Sequence, residues 1–286
     1  MGMMHRFLWG AGVLIVALVV VAGAVWGLRR GSGVEVEGSL DRRTFQCFAV
    51  GESMRTIGYS RAERKQKQLA RIERLLEREL DPLDEAKLRS ERAILRWELA
   101  DARFQRDCAE SYFEPGSSSL REQFPSAPPS FDSSGIREAF EEAQAKTPPR
   151  LRPHGFDERS SLHLAESALE RGEYDRAIEQ ARARLAEEPE GLYIDMLKLV
   201  LADALLAQGA GREAEELYGQ VGKLPIGEEA HYARYKQALL LKARGQDDEA
   251  QELLGEVLEW AKRGDREALV KVLRGDDPPP SHKPSP

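Results

Sequence analysis

Apolar residues form two patterns along this chain of 286 residues. Residues 7–28 are an uncharged apolar run, FLWGAGVLIVALVVVAGAVWGL, between Arg6 and the pair Arg29–Arg30. A helix of that length rises about 1.5 Å per residue and crosses a hydrocarbon core of about 30 Å. Beyond residue 59 the apolar positions recur every three or four residues among charged ones, which is typical of amphipathic helices. The pattern therefore predicts an all-α protein with an N-terminal transmembrane helix.

The apolar run leaves two questions open. After a leader at residues 1–6, residues 7–28 are either an uncleaved anchor or a signal peptide cleaved after Ala24, and the length of the run favours the anchor. The arginines after the run favour a cytoplasmic carboxyl side, whereas a short basic leader is typical of exported proteins. We expect a single-pass inner-membrane protein with its bulk outside the cytoplasm, and the cytoplasmic face is the alternative.

The rest of the chain divides by composition. We predict a juxtamembrane spacer at residues 31–58 and a helical hairpin at residues 59–113, broken where Asp81 can cap a helix that starts at Pro82. The hairpin is either a packed element with a charged outer face or a coiled-coil-like dimerisation element. Residues 114–156 are rich in Pro and Ser and are predicted to be a linker with at most a short helix near 136–145. The tail at residues 275–286 is predicted to be disordered.

Residues 157–274 contain a repeated phrase in which a glycine is followed five positions later by an alanine. The copies are Gly172…Ala177, Gly209…Ala214 and Gly245…Ala250, offset by 37 and then 36 residues. This spacing resembles the tetratricopeptide repeat (TPR) family, whose unit is about 34 residues long. The resemblance implies an α-solenoid of about three helix–turn–helix repeats. The glycine then lies in the turn, the alanine lies at a close helix contact, and a final helix near 264–273 caps the stack.

The resemblance also implies a partner-binding groove lined by the first helix of each repeat. The residues it places there are Arg159, Leu162, Glu166, Leu169, Glu170, Met196, Leu199, Asp203, Leu206, Tyr232, Tyr235, Leu239 and Lys242. Glu166 and Asp203 stand where chaperone-binding TPR domains carry asparagines, so capture of an acidic chaperone tail is not expected. An apolar lining with acidic positions favours a partner segment that carries apolar anchors together with Lys or Arg.

Charge and residue chemistry narrow the function classes. The net charge of −7 disfavours a nucleic-acid partner. We find no catalytic, nucleotide-binding or metal-binding phrase, so no enzyme, cofactor or metal is expected. Cys47 and Cys108 are either unremarkable residues or a disulfide, and the disulfide would require an oxidising compartment.

These observations predict a membrane-anchored TPR scaffold or adaptor that binds partner proteins. By analogy of architecture alone, it would serve protein assembly or complex formation in a bacterial envelope. The alternative is a structural protein that forms homo-oligomers through its hairpin.

Overall fold

The computed structural model describes residues 40–51, 53–113, 129–133, 135–187, 190–191 and 193–274. Within these ranges the regular structure is helical, which confirms the all-α class. The eleven α-helices are α1 (Arg42–Ala49), α2 (Ser53–Leu76), α3 (Pro82–Tyr112), α4 (Ile136–Lys146), α5 (Phe156–Glu170), α6 (Tyr174–Glu187), α7 (Ile194–Ala207), α8 (Gly211–Gly222), α9 (Glu228–Ala243), α10 (Asp247–Arg263) and α11 (Glu267–Arg274).

The predicted leader, anchor and tail, at residues 1–6, 7–28 and 275–286, lie outside the described residues. Among the helices that are described, none combines the length and the apolar character that crossing a bilayer requires.

The helical hairpin is formed by α2 and α3. Asp81 caps α3 as its sequence predicts, because its carboxylate accepts hydrogen bonds from the amides of Leu83 (2.9 Å) and Asp84 (3.1 Å). Phe104 and Cys108 of α3 are buried in a core shared with the repeats. The apolar seam of the hairpin therefore packs within its own chain.

Two segments that were predicted to be a spacer and a linker, the latter with at most a short helix near 136–145, contribute to the core. Residues 42–49, inside the predicted spacer, form α1, and Phe45 and Phe48 are buried there. Residues 136–146, inside the predicted linker, form α4, which buries Phe140 against Phe156 of α5. A spacer or linker would leave these phenylalanines in water, whereas burying each one stabilises the fold by about 2 kcal/mol.

The repeated phrase produces three helix pairs, α5–α6, α7–α8 and α9–α10. Gly172, Gly209 and Gly245 lie in the turns with φ of 72°, 82° and 76°, a left-handed conformation that costs glycine no side-chain clash. In each turn a backbone amide donates a hydrogen bond to the carbonyl five residues before it, at 2.8–3.0 Å. An example is the bond from the amide of Ala210 to the carbonyl of Leu205 (2.8 Å). The helix C-terminus is thereby satisfied in the same way three times.

The alanine of each phrase lies at a close contact between helices. Ala177, Ala214 and Ala250 are all buried. The final helix, α11, follows α10, buries Ala268 and Leu269, and packs against α10 and α1. The local consequences of the repeat, a turn at the glycine and a contact at the alanine, are thus present in all three pairs.

Candidate protein-binding groove

The groove predicted along α5, α7 and α9 contains a helix of the same chain, α1. Asp41 starts this helix, since its carboxylate accepts bonds from the Thr44 amide (2.8 Å) and hydroxyl (2.9 Å). At the other end, a disulfide joins Cys47 to Cys108 of α3, with Cα atoms 5.3 Å apart. Of the two readings of the cysteines, the structure adopts the disulfide.

Two arginines bind the acidic end of the groove. The Arg42 guanidinium donates a hydrogen bond to the Glu166 carboxylate, and both side chains are buried. Arg43 donates to Glu170 at 3.1 Å, and its guanidinium lies 3.9 Å from the ring centroid of Phe131. The charges that enter the groove are therefore paired within it.

Aromatic side chains hold the apolar face of α1. The ring of Phe45 lies 5.4 Å from that of Tyr232, 5.5 Å from that of Tyr235 and 6.3 Å from that of Trp260. The amide of Leu40, just before the helix, donates to the Tyr235 hydroxyl at 3.0 Å. Aromatic pairs at such separations contribute about 0.5–1.5 kcal/mol each beyond their buried area.

The charge state of Glu166 follows from its neighbours. Burial would raise its pKa, but Arg42, His163 and Arg43 together hold that pKa well below its usual value. Burial also lowers the pKa of His163, so the neutral ring donates from Nδ1 to Glu166 at 2.9 Å while it stacks on Trp97 at 4.2 Å. Glu166 is thus a charged, fully paired carboxylate at ordinary pH.

Asp203 is held differently. It accepts hydrogen bonds from the hydroxyls of Tyr218 (2.5 Å) and Tyr232 (2.9 Å). Burial raises its pKa, although Lys236 and these hydroxyls oppose the shift. Asp203 therefore joins α7 to α8 and α9.

The predicted groove residues fall into three groups. Five are buried: Leu162, Glu166, Leu199, Tyr232 and Tyr235. Six are partly buried: Arg159, Leu169, Met196, Asp203, Leu206 and Leu239. Glu170 and Lys242 are exposed. Arg159 donates to the Tyr193 hydroxyl at 2.9 Å. The structure places α1 in this groove, against Glu166, Glu170, Tyr232 and Tyr235, and the binding of a partner there stays a prediction.

The partner segment expected from the sequence stays a prediction, but α1 shares its chemistry. The expected segment carries basic residues and apolar anchors, and α1 carries Arg42, Arg43, Phe45 and Phe48. Sequence reasoning missed that the occupant is part of the chain. Two features of the sequence indicate a short buried helix. Asp41 and Thr44 have the spacing of a helix cap, and Cys47 lies between two phenylalanines.

The chain matches no protein-family model, no curated protein and no solved structure. Within the described residues, no three His, Cys, Asp or Glu side chains are grouped so that they could hold a metal ion.

A second surface remains open beside the third helix pair. Ile226, in the turn before α9, is 81% exposed, the highest value for a large apolar side chain in the described part of the chain. It borders an open cavity of about 500 Å³ that is also lined by Pro225, His231, Arg234 and Trp260. We call these five residues the Ile226 edge.

The walls of the Ile226 edge are fixed by stacking and hydrogen bonds. The ring of His231 stacks on Trp260 with centroids 4.3 Å apart, and its Nδ1 donates to the Gly227 carbonyl at 2.6 Å. Arg234 donates to the Gly222 carbonyl at 2.8 Å and pairs with Glu256 at 3.2 Å. An apolar side chain entering the cavity would therefore meet a formed surface.

Proposed function

We propose that this chain is a membrane-anchored scaffold of the TPR kind, in which the groove holds the chain's own α1 and a partner protein binds outside the groove. Residues 7–28 are the anchor, and envelope protein assembly or complex formation is the setting. Support for the repeat assignment comes from the three helix pairs with matching glycine turns. Stacked helix pairs present extended surfaces on which such proteins bind others.

The disulfide supports an extracytoplasmic location for the bulk of the chain. Disulfides form and persist in oxidising compartments and are rare where thiols are kept reduced. Cys47 and Cys108 are buried, and their bond ties α1 to the hairpin. We therefore place the repeats on the outer side of the membrane and keep the cytoplasmic face as the alternative.

The partner protein binds at the Ile226 edge, and the exposure of Ile226 is the main support for this proposal. Ile226 is 81% exposed and adjoins a cavity that His231 and Trp260 line together with charged residues such as Arg234, which is the mixed apolar and polar lining of a binding site. Its burial by a partner would remove apolar area from water near the centre of a contact that charged residues surround. The partner then presents an apolar anchor to this edge.

The test is photo-crosslinking in the native cell. A photoreactive amino acid at position 226 is expected to give a discrete crosslinked protein, and the same amino acid at Arg212, whose side chain is 93% exposed, is the control. The crosslink should also disappear when Trp260→Ala opens the cavity wall while the reactive group stays at position 226. Equal or absent crosslinking at the two positions would refute the Ile226 edge as the binding site.

A further inference from the structure

One outward face of α2 carries a row of basic side chains. Arg64, Lys67, Arg71 and Arg74 are spaced by three, four and three residues, so they follow one side of the helix for about 15 Å. All four are exposed, and the opposite side of α2 is buried against α3. We call these four residues the basic stripe.

The basic stripe is largely unneutralised. Lys67 pairs with Glu63 at 2.7 Å, but both side chains are well exposed, so this pair is weak. Within the described residues, Arg64, Arg71 and Arg74 have no carboxylate within ion-pair distance. Arg64 and Arg74 donate only to carbonyls of their own helix, those of Ser60 and Ala70.

The stripe is also opposite in sign to the rest of the molecule. The helix α2 contains seven basic and two acidic residues. Residues 157–274 contain 25 acidic and 17 basic residues. Such segregation of charge creates a positive surface that attracts an anionic partner and orients the whole molecule towards it.

An apolar side chain extends the same face. Ile57 lies seven residues before Arg64 and is 49% exposed. An apolar residue in line with basic ones is typical of helices that lie on a membrane surface. An acidic protein partner would use the stripe and would have less use for Ile57.

The position of α1 limits the distance between α2 and the predicted anchor. Leu40 is fixed in the groove by its bond to Tyr235, and α2 begins shortly after α1 ends. Residues 29–39 separate the anchor from Leu40 and span no more than about 40 Å even when fully extended. The body that carries the stripe therefore stays near the bilayer surface.

We propose that the basic stripe of α2 binds the headgroups of anionic phospholipids and so lays the hairpin along the membrane in which the chain is anchored. This inference rests on the anchor of the proposed function. Each Lys or Arg near an anionic bilayer favours the bound state by about fivefold, so the stripe orients the molecule only when several charges act together.

The experiment uses the full chain in nanodiscs of phosphatidylcholine, alone or mixed equally with phosphatidylglycerol. A fluorescent noncanonical amino acid replaces Ala70, which is exposed on α2 beside the stripe. Lipids with a nitroxide on the headgroup should quench it in the anionic discs. Quenching should fall in about 1 M salt, where the Debye length is about 3 Å and the attraction between the stripe and the headgroups is screened.

The stripe variant combines Arg64→Gln, Lys67→Gln and Arg71→Gln, and the control combines Arg212→Gln, Lys223→Gln and Lys262→Gln. Both remove three exposed basic charges. The stripe variant should shift the equilibrium away from the lipid surface by about two orders of magnitude, while the control keeps its quenching.

Chromatography of the same samples separates the two ways of failing. A chain that elutes apart from the discs would refute the anchor and this inference with it. A chain that co-elutes but is quenched equally in both lipid mixtures, or equally in the two triple variants, would refute the basic stripe alone.

Discussion

At the scale of single residues, the neighbouring charges decide in which direction the pKa of a partly or fully buried carboxyl group shifts. Glu166 stays charged because Arg42 and Arg43 lie beside it, whereas Glu228 at the start of α9 has Glu229 as a neighbour. Burial and the Glu229 charge raise the pKa of Glu228 to about 7. Below that pH it is protonated in the folded chain, and above it a charge must be kept in a poorly solvated place.

Replacing Glu228 by Gln should therefore stabilise the protein in a pH-dependent way. In the unfolded chain Glu228 has its ordinary pKa of 4.5, and in the folded chain its pKa is about 7. As the pH rises from 4.5 to about 7, the unfolded state therefore loses the Glu228 proton more readily, and the wild-type carboxyl group increasingly disfavours folding. We expect the gain in unfolding free energy from Glu228→Gln to be up to about 2 kcal/mol larger at pH 8 than at pH 5. Urea unfolding at the two pH values measures it.

The control for that prediction is Glu249→Gln, an exposed acidic residue in the first turn of α10. It should change stability by no more than about 0.5 kcal/mol at either pH. A gain from Glu228→Gln that is the same at pH 5 and pH 8 would show that Glu228 titrates normally in the folded chain.

At the scale of elements, α1 is short but central. Eight residues form no stable helix in water by themselves, since helix nucleation is unfavourable. The groove supplies the missing stabilisation through Glu166, Tyr232 and Tyr235, and the bond from Cys47 to Cys108 holds the far end. The helix exists because of its tertiary contacts.

Truncating the main apolar contact of α1 should be costly. Phe45 is fully buried between rings of α9 and α10, so Phe45→Ala should lower the unfolding free energy by about 3–5 kcal/mol, as is usual for a large buried aromatic residue. The matched change Ile57→Ala, on a half-exposed side chain of α2, should cost about 0.5 kcal/mol or less. Urea unfolding with the disulfide intact compares them, and equal effects would mean that α1 leaves the groove readily.

At the scale of the whole molecule, α1 and the hairpin share one core with the repeats. Phe45, Phe104, Leu162, Leu199 and Leu269 belong to a single cluster of buried residues. The repeats are therefore not an independent unit beside a separate hairpin. Any force on the chain before Leu40 is therefore transmitted to the helices that contact α1.

A shared core predicts a single cooperative unfolding transition for residues 40–274. Far-ultraviolet circular dichroism and tryptophan fluorescence, which reports Trp97 in α3 and Trp260 in α10, should give the same urea midpoint. Reducing the disulfide, whose cysteines are 61 residues apart, should lower the unfolding free energy by about 4 kcal/mol and move both signals together. Two separate midpoints would show that the hairpin and the repeats unfold independently.

The sequence alone determined what short-range physics controls. Gly172, Gly209 and Gly245 mark turns because only glycine adopts positive φ without strain, and the alanines mark close contacts because larger side chains would clash. The capping pair Asp81–Pro82 likewise marks the start of α3 through interactions within a few residues. Such features recur in the sequence and can be read from it.

Only the tertiary structure decided what fills the groove. The bond between Leu40 and Tyr235 joins residues 195 positions apart, and no periodicity connects them. The lining of Glu166, Asp203, Tyr232 and Tyr235 predicts a segment with basic residues and apolar anchors, and a segment of the same chain can supply that chemistry as well as a separate protein can. Tertiary structure decides between them, because α1 belongs to the same chain as the groove. Its effective concentration at the groove is therefore high, whereas a separate protein must bind from solution.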